Sequence, residues 1–197
     1  MNKDTHICLA RYLIDNLEAG DLIKHKRAFC FGSILPDCLP TFLIKKHNMG
    51  VAFEELKEQI IKITDDYEEE GITTYFCRHL GVTAHYLADF FTYPHNSGFR
   101  GSLKAHVDYE SKLEWTLGQY LLGDHSDLIQ LENRKFGNAQ EICDYILEMH
   151  DAYQKSYHHI GIDCSFILEL CAKVIGAILR LFEIKLMKKK TVCVQAA

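Results

Sequence analysis

The sequence predicts an all-α protein, a single bundle of roughly seven to nine helices spanning residues 1–197. Three observations carry that expectation. Apolar residues recur at helical spacing in almost every long segment. The valine–threonine alternation of half-buried strands is nearly absent. Glycine and the three prolines fall mostly between the periodic segments, and no linker-like stretch divides the chain.

The elements follow in order. Ile7, Ala10, Leu13, Ile14 and Leu17 form one apolar stripe, with Asp4 or Thr5 as the expected cap and Gly20 as the stop. A second helix is expected over 22–31. It runs into a loop, "GSILPDCLP", marked by Gly32, Pro36 and Pro40. Residues 51–69 are amphipathic and Gly71 follows them. Residues 73–91 are apolar on several sides, which predicts a central helix closed by Pro94. After the loop "NSGFRGS" come helices over 103–122, 139–157 and 165–188.

Composition narrows the function. Hydrophobic residues make up 48% of the 197 and charged residues 25%, enough for a real core. A net charge of -5 disfavours a general nucleic-acid binder. The eight cysteines are scattered singly and no C-x-x-C occurs. The opening "MNKDTHICLARYLIDNLEAG" lacks the apolar core of a signal peptide. Reduced thiols and a cytoplasmic location are therefore expected. No apolar run is long enough to span a bilayer. The 166–186 stripe, followed by Lys188, Lys189 and Lys190, suits either an anionic membrane surface or a core-packed helix with cations at its C-terminus. Trp115 is expected in the core.

The polar groups inside the apolar segments carry the chemistry. His85 and Asp89 are four apart and share a helix face. His106 and Glu110 repeat the spacing, as do His159 and Asp163. Spacing alone is weak, because 11 histidines and 27 acids make such pairs by chance on solvated faces. The stretch "LGVTAHYLADFF" is too apolar for a solvated face, however, and no lysine or arginine lies between Arg78 and Arg100. A buried carboxylate needs a partner. A metal cation supplies one, and mixed histidine and carboxylate donors suit zinc. The other histidines, at 25, 79, 125, 150, 158 and 159, read as surface or hydrogen-bonded groups.

These motifs, in this order and spacing, resemble those of the bacterial zinc-dependent phospholipases C, whose helical fold is shared with zinc nucleases preferring single strands. The resemblance rests on "THICLA" with His6, "GSILPD" with Asp37 and "KKHN" with His47. It continues through "HYLADFFTYPH" with His85, Asp89 and His95, and "HVDYE" with His106 and Glu110. It implies one zinc held by Asp37, His47, His85 and Asp89, and a second held by His95, His106 and Glu110. Asp89 would bridge to a third, to which His6 belongs. Asp37 would orient or deprotonate a metal-bound water. In the secreted relatives the third zinc also uses a processed N-terminus. Here Met1 lies five residues before His6, so that site is open between the Met1 amine, Asp4 and no ion at all. A C-terminal lipid-binding domain is not expected.

The expected function is hydrolysis of phosphoric esters, phospholipase C-like, on a phospholipid or other phosphate-ester substrate with peripheral membrane contact. Two rivals stand beside it. One is a nuclease or other phosphodiesterase on the same zinc cluster, and the other is a non-enzymatic module that zinc only stabilises.

Overall fold

The computed structural model describes residues 1–17, 20–38, 47–68, 71–123 and 134–195. They form eight α-helices: α1 (Lys3–Asn16), α2 (Gly20–Lys24), α3 (Lys26–Ile34), α4 (Met49–Thr64), α5 (Thr74–Phe90), α6 (Leu103–Leu122), α7 (Ala139–Lys155) and α8 (Ile160–Gln195). Short 3-10 turns occupy Leu35–Asp37 and Tyr93–His95. No strand occurs among the described residues. The all-α expectation holds.

Helix α5 is the axis of the bundle. Every residue from Leu80 to Phe90 is buried, so this part of the helix presents no solvated face. Helices α3 and α4 lie along it, α1 packs on α3, and α8 packs on α4, α5, α6 and α7. The closest approach is between α3 and α5. A Cβ added at Gly32 would fall 2.1 Å from the Arg78 carbonyl oxygen, and one added at Gly81 would fall 2.2 Å from that of Phe29. Only glycine allows the two backbones to touch in this way.

Five helices start on a side-chain cap. Asn2, Asn48, Thr73, Ser102 and Asn138 each accept the backbone N–H three residues on. The first cap is therefore Asn2 rather than Asp4 or Thr5. The segment expected as one helix over 22–31 is two, broken at His25, and its second part runs on through Gly32 to Ile34. Helix α4 stops at Thr64, short of 69, and the Lys185 amine donates to the carbonyls of Thr64, Asp65 and Tyr67 beyond its end. That places the cation at a helix C-terminus, where it is favoured.

Val174, Ile175 and Ile178 of α8 are fully buried, so this helix packs its stripe on the core. No described helix is long and apolar enough to cross a membrane. Trp115 is 70% exposed, against expectation. The buried line of α6 runs through Leu113 and Leu117, and a residue midway between them in sequence points to the opposite side.

Candidate metal centre

Six parts of the fold deliver the polar side chains. Helix α5 contributes His85 and Asp89 on one face, both 0% exposed. The α3–α5 glycine contact brings the Ser33 carbonyl to 2.9 Å from His85 Nδ1. A carbonyl only accepts, so Nδ1 carries the proton and Nε2 keeps its lone pair for the cluster. Helix α1 stacks His6 on His85, ring centroids 4.0 Å apart. The Leu35–Asp37 turn ends on Asp37, and His47 stands one residue before the Asn48 cap of α4. The Tyr93–His95 turn and α6 supply His95, His106 and Glu110.

Three groups result, the first two sharing His85: His6 with His85 and Asp89; Asp37 with His47 and His85; and His95 with His106 and Glu110. Asp89 joins them. Its Oδ1 lies 3.3 Å from His6 Nε2, and its Oδ2 lies 3.2, 3.4 and 3.5 Å from His47 Nδ1, His85 Nε2 and His95 Nδ1. Asp37 Oδ1 is 3.5 Å from His47 and 3.8 Å from His85. Glu110 Oε1 is 3.2 Å from His95 Nε2 and 3.0 Å from His106 Nε2.

These separations fit a metal. Tetrahedral coordination with bonds of about 2.0–2.1 Å sets donors about 3.3 Å apart. The buried His6 Nε2 faces Asp89 Oδ1 at 3.3 Å without a well-formed hydrogen bond, an arrangement that a cation shared by the two would satisfy.

The Met1 amine enters the same cluster. It donates to Asp89 Oδ1 at 2.6 Å and lies 3.2 Å from Glu110 Oε1 and 3.2 Å from His95 Nε2. Of the groups weighed for a third site, the structure brings in this amine, whereas Asp4 is exposed.

Electrostatics follow the geometry. Burial holds His6 and His85 below the usual histidine range, so both offer lone pairs near neutral pH. Burial works against the charge of Asp89, but His95, the Met1 amine, His85 and His6 outweigh it and hold Asp89 well below the usual carboxylate range. Glu110 is half-buried, yet its hydrogen bond from His95 and the nearby amine bring it down to about 2. Asp37 differs. Burial, then the charge of Asp89, raises it.

A cleft of about 570 Å³ opens onto this cluster, lined in part by Asp37, His47, His95, His106, Phe99 and Arg100. His6, His85 and Asp89 lie buried beneath.

With this arrangement in view, one comparison is decisive. A family model described as zinc dependent phospholipase C matches residues 5–160. The chain belongs to the zinc-dependent phospholipase C family. No curated protein and no solved structure matches it. The zinc-dependent phospholipase C match begins one residue before His6 and takes in all eight side chains singled out in the sequence.

Sequence reasoning passed over one residue of this neighbourhood. Spacing from His159 alone points to no more than a solvated helix face for Asp163, yet it is 0% exposed. The signal was the one used for Asp89: "GIDCSFILELC" is apolar, and no lysine or arginine occurs from 156 to 172. Most of the other histidines are held by neighbours: His79 by Gln59, His150 by Asn96 and His25 by Thr74. His125 lies outside the described residues.

Proposed function

We propose that the chain hydrolyses phosphodiesters, with a phospholipid as the substrate class, using zinc held by His6, Asp37, His47, His85, Asp89, His95, His106 and Glu110. The observation that carries this reading is the convergence of these eight side chains beneath a cleft, with inter-donor distances of 3.0–3.8 Å. Bound zinc would polarise a phosphoryl oxygen and lower the pKa of a bound water towards ~7.

The chain's own groups take the remaining roles. Asp37 is 20% exposed at the cleft and is the candidate to accept the proton of the attacking water. Asp89, with both oxygens engaged and no exposure, is suited to bridging cations. His85 is fixed by Ser33 and orients its Nε2 inwards. The Met1 amine lies beside Asp89 and Glu110 and would join a third site once it loses its proton. Arg100 at the cleft brings positive charge to an otherwise acidic chain, which suits the phosphate of an anionic diester. Cys77, Cys143, Cys164 and Cys171 are buried singly in the core, which supports a reducing, cytoplasmic setting.

The test is zinc content per chain measured beside hydrolysis of three substrates: a phospholipid, a nucleotide diester and a simple phosphate monoester. At least two zinc ions and preference for the phospholipid are expected. Preference for the nucleotide diester would move the reading to a nuclease. Zinc without hydrolysis of any of the three would reduce it to a zinc-stabilised module.

A further inference from the structure

Asp163 lies on α8, beyond the end of the family match and outside the ligand set. Its carboxylate is fully buried and accepts three hydrogen bonds. Oδ2 takes the backbone N–H of Tyr93 at 2.7 Å and the hydroxyl of Tyr109 at 2.9 Å, while Oδ1 takes the hydroxyl of Tyr153 at 2.7 Å. Two of these donors belong to the metal centre's supports. Tyr93 opens the turn that ends on His95, and Tyr109 immediately precedes Glu110 on α6. A single oxygen therefore ties the turn carrying His95 to the helix carrying His106 and Glu110, and anchors both to α8.

We propose that Asp163 is a positioning residue for the His95, His106 and Glu110 group. This rests on the metal reading above. His95 Nε2 and His106 Nε2 meet on one atom, Glu110 Oε1, at 3.2 and 3.0 Å. His95 and Glu110 come from different elements, so a small slide of the turn along α6 separates these donors. The far side of the turn is held independently. Asn96 donates to the carbonyls of Phe90 and Thr92 and accepts from Gln154 on α7. Those bonds fix the turn to α5 and α7. Asp163 supplies the link to α6. Groups that orient ligands in this way typically carry about 10–100-fold in metal affinity.

Three variants test it: Asp163→Asn, Tyr109→Phe and Tyr153→Phe. Each removes a hydrogen-bonding partner around the same carboxylate, but Tyr153 sits on α7, which bears no ligand. Zinc per chain and the dissociation constant of each ion are measured by competition with a chelating indicator. The melting temperature of the chelated protein is measured in parallel.

The expected result is that Asp163→Asn and Tyr109→Phe weaken one ion by about 10–100-fold, while Tyr153→Phe leaves every zinc affinity unchanged even where the melting temperature falls. If Asp163→Asn does not fold, the contrast between the two tyrosine variants decides alone. Equal zinc affinities in all folded variants, or equal weakening by Tyr109→Phe and Tyr153→Phe, overturns the positioning role and leaves the metal reading intact. No zinc on the unsubstituted chain overturns the metal reading, and this inference with it.

Discussion

Asp37 and Asp89 are carboxylates of one cluster with different surroundings. Asp37 reaches the cleft and contacts two histidines at long range, whereas Asp89 is enclosed and touches His6, His47, His85, His95 and the Met1 amine. Asp37→Asn is therefore expected to lose about 10²-fold or more of hydrolytic activity and to keep most of its zinc. Asp89→Asn is expected to release zinc, and Glu110→Gln to empty mainly the group of His95 and His106. Activity on one substrate, with bound zinc counted for each variant, checks the set; full activity of Asp37→Asn would remove its role as base. At this scale much was legible in the sequence, because a carboxylate in an apolar stretch without a nearby cation advertises a partner. The same rule applied to Asp163 and was not used there, since its partners are tyrosines at positions 93, 109 and 153 that no local pattern connects to it. The amine of Met1 was among the options, but its position depends on how α1 packs.

Helices were read to within a few residues wherever the apolar period was strong, as in α5 and α6. Boundaries failed where tertiary contacts decide them. Helix α3 continues through Gly32 because that glycine is needed against Arg78 of α5, so a residue that reads as a stop is here a contact point. The partner glycine, Gly81, is equally constrained. Gly81→Ala would press its methyl group onto the Phe29 carbonyl and the Ser33 backbone nitrogen, atoms that cannot rotate away. Overpacking of this kind costs about 1–3 kcal/mol, and separation of the helices would also draw the Ser33 carbonyl from His85. The expected outcome is a lower melting temperature of the chelated protein together with weaker zinc binding. A control at Gly118→Ala, mid-helix and with a Cβ meeting open space, should leave zinc binding unchanged and the melting temperature equal or higher. If Gly81→Ala were as stable as the control, the glycine contact would not be what sets the α3–α5 spacing.

Across the whole molecule, protons and zinc compete for the same histidines, and the stability of the fold reports the contest. In the chelated protein, burial holds His6, His85 and His150 below 6.5, and burial with Arg78 and Lys62 brings His79 down to about 4. The unfolded chain binds protons at these groups from about pH 6.5 downwards while the folded chain refuses them, so the stability they contribute is present above 6.5 and lost as pH falls towards 4. Asp37 and Asp163 act oppositely. Their folded values are raised, Asp163 to about 6, so they favour folding as pH falls through that range. Four histidines set against two carboxylates give a net loss of stability between pH 6.5 and 5. The Met1 amine, raised from 8.0 by Asp89 and Glu110 against its burial, adds a loss on the alkaline side, above pH 8. Zinc changes the profile, because it binds the folded chain's deprotonated donors and raises stability by RT ln(1 + [L]/Kd). That increment depends on every histidine donor being free of its proton, whereas the fold's own stability depends on the balance just described. The melting temperature gained on adding zinc should therefore be largest near pH 7.5 and shrink steeply by pH 5.5. Calorimetry at pH 7.5, 6.5 and 5.5, with and without zinc, reads this directly. A zinc increment that stays constant across the three would mean that the ion is not held by these histidines.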